Sequence, residues 1–303
     1  MNEIKMEENV HCVVTGGQGF IGSHLVEECL SRGWHTTVID DCSAPQNIEF
    51  YKFPGAEYVR RNVADSRCIT HYEKAKYVFH LAARSRIQPS IHGDRRETFR
   101  NNVMGTLSVL EAAKEHGCKV VYASSSSVYG LRNDPPLNED MQTDCLNPYS
   151  LSKKHGEELC ALYWKLWSVQ SACLRLFNVY GPREPLKGQY APVVGMFKRQ
   201  HQIGEALTIV GDGEQRRDFT YVKDAVRAFI TVACSSISDG RVYNVGTGRN
   251  YSINEIASFF DAKTVNVPVR PAEARVTLAD VSKIARELSF VAATDLQHVV
   301  NAY

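Results

Sequence analysis

Short apolar runs alternate with helix-period segments over the first two thirds of the chain. Val10 to Val14 predicts a strand, and Ser23 to Leu30 has the spacing of a helix that follows a glycine-rich turn. A second strand, His35 to Ile39, comes after the break at Gly33 and ends in Asp40 and Asp41. Further strands are predicted at Tyr58 to Val63, Tyr77 to Ala82 and Lys119 to Ala123, separated by helical segments of which Thr98 to His116 is the clearest. Strands that alternate with helices specify an α/β fold, a parallel sheet covered on both faces. After the strand Ala172 to Phe177, turn residues crowd together: Asn178, Gly181, Pro182, Pro185, Gly188 and Pro192. The remainder reads as a second, smaller α/β lobe, from which a helix at Val222 to Cys234 and a strand at Arg241 to Asn244 return to the main sheet. The expected division is 1–177 with about 219–249 for the main domain, and about 178–218 with 250–303 for the lobe.

Composition narrows the function classes. With 303 residues, 44% of them hydrophobic and 23% charged, the chain has the make-up of a soluble globular protein with a full core. Its 35 basic and 34 acidic side chains leave a net charge of +1, so nothing draws it to polyanions, and neither nucleic acid nor a membrane surface is an expected partner. No run approaches the roughly 18 apolar residues of a membrane helix. Met1 to Val10 carries Glu3, Glu7 and Glu8 and lacks the pattern of a signal peptide. The nine cysteines form no C-x-x-C pair, so no metal site is expected; reduced thiols and a cytoplasmic address are.

Gly16, Gly19 and Gly22 lie between the first strand and the first helix. Missing Cβ atoms there let the backbone turn sharply and let a pyrophosphate approach the helix N-terminus. A glycine triplet can simply pack. This one has a strand before it, a helix after it, and Asp40 about twenty residues on, where a carboxylate suits the ribose 2′-hydroxyl of NAD and repels a 2′-phosphate. The fold expected is a Rossmann-type doubly wound sheet, with NAD as cofactor.

Two further features carry chemistry. Tyr149 and Lys153, at i and i+4, share one helical face. A tyrosine pKa near 10 falls to about 7 for roughly 4 kcal/mol of preference for the phenolate, which one ammonium about 4 Å away supplies at an effective dielectric near 20. A Tyr-x-x-x-Lys pair on its own is common on solvated helices. The strand Lys119 to Ala123 ends in Ser124 to Ser127, hydroxyls at the carboxyl end of a parallel strand, where such sheets bind ligands. Alone this is a polar turn. Behind a dinucleotide fingerprint, serine cluster, tyrosine and lysine together point to an oxidoreductive site.

With these residues in view, the chain resembles the extended short-chain dehydrogenase/reductase family and, within it, NAD-dependent nucleotide-sugar 4-epimerases of the UDP-glucose (UDP-galactose) 4-epimerase type. The likeness runs through TGGQGFIGSHL, VIDD, HLAARSRIQPS, NNVMGTLSVLEAA, YASSSSVYG, NPYSLSK, RLFNVYGPR, GDGEQRRDFTYVKD, YNVGTG and RPAEARVTLADVSK. The resemblance implies that Tyr149 takes the proton from the sugar 4-hydroxyl, that Ser125 hydrogen-bonds the reacting oxygen, and that Lys153 holds the nicotinamide ribose and depresses the tyrosine pKa. It assigns Phe20, Ile21, Asn62, Val63, Leu81, Ala82, Ala83, Asn102, Ala123 and Phe177 to the cofactor. Asn178, Arg217 and Arg270 fall to the UDP diphosphate, Glu273 to the uridine ribose, and Ser126 and Thr277 to the sugar pocket.

The 4,6-dehydratases that resemble this chain carry an acidic pair after the serine or threonine, where Ser126 and Ser127 stand here. Decarboxylases of nucleotide-sugar acids favour a glutamate in the same turn. Without a carboxyl acid/base pair, elimination lacks its catalysts. Small Thr277 leaves room for N-acetylhexosamine nucleotides, while Arg84 and Arg86 leave a uronic acid such as UDP-glucuronate open. The apolar faces of Thr98 to His116 and Tyr149 to Trp167 suit a homodimer through a four-helix contact, or core packing within one subunit. A non-catalytic NAD-binding sensor is the alternative outside enzymology.

Overall fold

A computed structural model describes residues 10–44, 49–185, 191–269 and 274–302. Its centre is a seven-stranded, all-parallel sheet. In chain order the first six strands are β1 (His11–Thr15), β2 (His35–Asp40), β3 (Ala56–Arg60), β4 (Tyr77–His80), β5 (Lys119–Ser125) and β6 (Ser171–Leu176). They lie in the order β6-β5-β4-β1-β2-β3, so the direction of winding reverses between β1 and β4. That reversal opens a crevice at the carboxyl ends of these two strands. Alternation along the strands builds the two faces: Cys12 and Val14 join one core cluster and Val13 the other, as do Val121 and Ala123 against Val120 and Tyr122.

The helices that position the site are α1 (Phe20–Ser31), α2 (Ile87–His92), α3 (Arg95–Phe99), α4 (Gly105–His116) and α5 (Pro148–Trp167). The predicted single helix over Thr98 to His116 is in fact α3 and α4 joined by a π-helical turn at Arg100–Met104. Its widened backbone carries Asn101 and Asn102, both buried and both hydrogen-bonded to residues of the cleft loops. The predicted strand at Tyr58 to Val63 begins two residues earlier and stops at Arg60, because pairing with β2 ends at Asp40. Likewise β4 stops at His80, after which Leu81 to Arg84 turn out of the sheet into the cleft.

Beyond β6 come β7 (Val179–Tyr180), α6 (Val193–Gln202), β8 (Leu207–Val210), β9 (Arg216–Asp218), β10 (Thr220–Tyr221) and α7 (Val222–Cys234). Then β11 (Asp239–Val245) returns to the main sheet beside β6, as its sequence predicts. The chain continues through β12 (Asn250–Ser252), α8 (Ile253–Ser258), β13 (Thr264–Val267), α9 (Ser282–Leu288) and α10 (Leu296–Val300). The pairs β8/β13 and β9/β12 stand apart from the main sheet, around a separate core that includes Phe197, Ile209, Ile256 and Phe260.

Candidate active site

A cleft of about 590 Å³ runs from the β1–α1 turn, past the ends of β4 and β5, to the small sheets. It is lined by Gly16, Gly19, Phe20, Ile21, Gly22, Asp40, Asn62, Val63, Leu81, Ala82, Ala83 and Ala123, and further on by Ser125, Ser126, Tyr149, Lys153, Asn178, Arg217 and Thr277. Residues scattered over most of the sequence thus share one cavity, of the size that holds organic ligands. Arg270 and Glu273 lie outside the described residues. Two expected lining residues sit behind the wall. Phe177 is fully buried beside Val128, Tyr129 and Leu137. Asn102 accepts from the Arg84 N–H at 2.7 Å and donates to the Arg84 carbonyl at 3.1 Å and to Ser152 at 2.8 Å, so it shapes the lining loop without facing the cavity.

At the dinucleotide end the backbone dominates. Gly16 has φ 70°, and a Cβ on it would stand 2.7 Å from the Ala82 nitrogen; one on Gly22 would stand 2.1 Å from the Gly16 carbonyl oxygen. The first turn of α1 has neither a side-chain cap nor an acidic residue, which suits a bound anion. At the tip of β2 the Asp40 carboxylate accepts from the backbone N–H of Gln18 at 3.0 Å and of Cys42 at 2.9 Å. Burial raises its pKa, and those two bonds oppose the rise. Asn62 is oriented by bonds from its amide to Asp41 and to Asn101, both 2.8 Å.

At the other end, Tyr149 enters the cleft from the first turn of α5. Asn147 caps that helix: its side chain accepts from the Ser150 N–H at 2.9 Å, Ser150 Oγ accepts from the Asn147 N–H at 3.3 Å, and Pro148 fixes the first turn. One turn on, Lys153 is 3% exposed, and Glu157, a turn further, is locked to Arg175 by two 2.8 Å bonds and accepts from Ser124 at 2.6 Å. This buried network ties α5 to the ends of β5 and β6. It fixes where Tyr149 meets Ser125, whose side chain hydrogen-bonds it.

The electrostatics differ from the simple lysine–tyrosine expectation. The Lys153 ammonium donates to the Ala123 carbonyl at 2.7 Å and lies 6.0 Å from the Tyr149 ring centroid. Burial pulls its pKa down to about 7. Burial also pushes the Tyr149 phenol up; what opposes that rise is the Ser125 hydrogen bond and then the charge of Arg86, not Lys153. Arg84 points elsewhere, donating to the Ser43 carbonyl at 2.8 Å. On the far wall Asn178 donates to the Asp218 carbonyl at 2.8 Å, and Arg217 to the carbonyls of Arg216 at 2.9 Å and Arg275 at 3.3 Å. The Thr277 hydroxyl is buried with no partner among the described residues, as is that of Ser127.

Residues 12–246 match the model of the NAD-dependent epimerase/dehydratase family. The chain belongs to that family. It is 34% identical to the UDP-glucose 4-epimerase of Mycolicibacterium smegmatis, over 86% of this chain and 84% of that one. It superposes with a TM-score of 0.91 on a UDP-N-acetylglucosamine 4-epimerase from Methanobrevibacter ruminantium solved with UDP-N-acetylmuramic acid, at 30% identity over 97% of both chains. A UDP-glucuronic acid 4-epimerase from Bacillus cereus, solved with UDP-glucuronic acid and NAD, gives 0.87 at 30% identity over 97% of both.

For this family member the cofactor is NAD. Its own residues fit that group: a glycine cradle too tight for any Cβ, an uncapped helix N-terminus, and a carboxylate at the end of β2. The residue that motif reading missed altogether is Glu184, buried in the loop after β7. A lone glutamate among turn residues carries no sequence signal; only folding brings it near Arg86. Among the described residues no cluster suited to a metal occurs, and no helix is long and apolar enough to cross a membrane.

Proposed function

We propose that this chain is an NAD-dependent 4-epimerase of a UDP-hexose, acting through a transient 4-keto sugar. The observation that carries the reading is the serine turn: Ser125, Ser126 and Ser127 share the cleft with Tyr149, in the place where elimination or decarboxylation chemistry would want carboxyl groups. NAD, when bound, supplies a reversible acceptor for the C4 hydride. Tyr149 takes the proton from the sugar 4-hydroxyl and returns it, Ser125 hydrogen-bonds the reacting oxygen, and Lys153 holds the nicotinamide ribose. Asn178, Arg217 and Arg270 grip the diphosphate and Glu273 the uridine ribose, with residues about 178–218 and 250–303 acting as the substrate lobe. Thr277, a small residue on the cleft wall, leaves room for an N-acetyl group.

Incubation with UDP-Glc, UDP-GlcNAc, UDP-GlcA and dTDP-Glc, without added reductant, tests this by NMR of the sugars. Inversion at C4 of UDP-Glc and UDP-GlcNAc is expected. Inversion confined to UDP-GlcA would favour the uronate reading, which the presence of Arg86 in the cleft supports. A 4-keto-6-deoxy product would make the protein a dehydratase, and unchanged sugars would leave an NAD-binding sensor. The exposed Leu162, Leu166 and Trp167 on α5 support a homodimer through α4 and α5, seen in light scattering as twice the chain mass. All nine cysteines are free, in keeping with a cytoplasmic assignment that cell fractionation checks.

A further inference from the structure

His80 closes β4 and is 1% exposed, and the hydroxyls around it settle which of its nitrogens carries the proton. On one side the Thr15 Oγ1, at the end of β1, lies 2.7 Å from Nδ1 and accepts the Ala82 backbone N–H at 3.2 Å. On the other the Thr106 Oγ1 lies 3.0 Å from Nε2 and gives its own proton to the Asn102 carbonyl at 2.6 Å. Thr106 can therefore only accept from the ring, so the proton sits on Nε2. Nδ1 is left as the acceptor, and the Thr15 hydroxyl donates to it. The direction of every bond in this chain is fixed. Nor does it stop at the π-helical turn: the Asn102 amide donates to Ser152 at 2.8 Å, and Ser152 donates to the Tyr149 carbonyl at 2.7 Å. Through the ring, the cleft-lining turn Leu81 to Ala83 is tied to the first turn of α5.

We propose that His80 is a positioning residue: as a neutral imidazole with its proton on Nε2, it holds the cleft-lining turn after β4 and the π-helical turn that braces the Tyr149 helix in one register. Its effect on turnover rests on the reading of Tyr149 as the general base. The surroundings require a neutral ring. Its centroid is 5.5 Å from that of Tyr122, and the Lys153 ammonium lies 5.0 Å from the same Tyr122 ring, so an imidazolium would add a second cation to a buried site. Burial, helped by that lysine's charge, pulls the His80 pKa down to about 3. Protonation of Nδ1 would also turn the Thr15 hydroxyl from donor to acceptor and disturb its hold on Ala82. An aliphatic side chain would fill the same space, but it would leave the Thr15 proton without its acceptor and the Thr106 oxygen without its donor.

The test starts with the ring itself. NAD-loaded protein carrying ¹⁵N in its ten histidines is examined by ¹H–¹⁵N NMR, the His80 signals being identified by their loss in His80→Gln. A pyridine-like Nδ1 and a pyrrole-like Nε2 are expected, neither titrating between about pH 5.5 and 8. Variants then read the register. His80→Leu fills the space without either bond, and is expected to release NAD about tenfold faster and to lose about tenfold in kcat with the sugar KM unchanged. His80→Gln, whose amide offers one acceptor and one donor, restores most of both. If His80→Leu does not fold, Thr106→Val cuts only the link to the π-helical turn and reads the same loss of kcat with NAD retained. A proton on Nδ1, a ring that titrates in that range, a glutamine variant that behaves like leucine, or unchanged turnover in the leucine or valine variant would each overturn the proposal. The NMR and NAD readings need no sugar, so a protein that gives the expected result in both yet converts no UDP-sugar would sink the epimerase reading alone.

Discussion

At the β1–α1 end of the cleft the decisive feature is the lack of side chains: Gly16 and Gly22 leave no room for a Cβ, and the polar groups there that suit NAD are backbone N–H groups and one carboxylate. At the Tyr149 end the decisive features are buried or half-buried polar side chains, namely Tyr149, Lys153, Ser125 and Arg86, drawn from three separate parts of the chain. The first arrangement is cheap, since backbone geometry follows from local turn chemistry. The second takes charges out of water and needs partners for them. Binding machinery can therefore be set by a short motif, whereas proton chemistry has to be assembled by the whole fold.

Tyr149→Phe separates the two ends most sharply: kcat is expected to fall by about 10²–10⁴-fold while NAD stays bound, as measured by turnover and by cofactor content after gel filtration. Loss of NAD from this variant would mean that the ends are not independent. Gly22→Ala attacks the other end. Its methyl group meets the Gly16 carbonyl, so NAD retention should drop together with about 1–3 kcal/mol of stability, while the Tyr149 environment is spared. Tight NAD binding by this variant would refute the close-approach argument.

The smallest effect sits on Lys153 and has a definite sign. In the folded protein its pKa is about 7, below the ordinary lysine value, so between these two values the unfolded chain binds more protons and stability rises with pH. Below pH 7 the ammonium is buried in full and its cost is complete. Replacement by Met should therefore stabilise the cofactor-free protein by on the order of 1 kcal/mol near pH 6, with the gain fading as pH approaches the ordinary lysine value, while turnover is lost. Urea melts across that range check the slope; a gain that grows with pH would show that the lysine is not paying for its burial.

Much of the site is legible in the order of residues. The β1 strand, the glycine turn and α1 follow one another, so a short window holds the whole fingerprint, and Asp40 lies at the end of the next strand. Tyr149 and Lys153 share a helix whose cap, Asn147 and Ser150, is itself local. The π-helical turn at Arg100–Met104 escapes notice because a periodicity of 3.6 hardly changes over five residues. The position of Phe177 behind the wall, and of Asn102 under the Arg84 loop, depends on which way a side chain turns at the edge of the sheet, and no spacing records that.

The chain's sequence by itself determined the parallel sheet, the nucleotide turn and the tyrosine–lysine helix, because each is written within one or two turns of backbone, where hydrophobic period and steric allowance act locally. Only the tertiary structure decided where the Lys153 ammonium and the cleft arginines point. Lys153 was a neighbour by spacing, yet its ammonium turned toward the Ala123 carbonyl, while α2, remote in sequence, was brought against the Tyr149 turn of α5 through Ser90. Electrostatics acts through space and burial, and neither is a property of sequence separation.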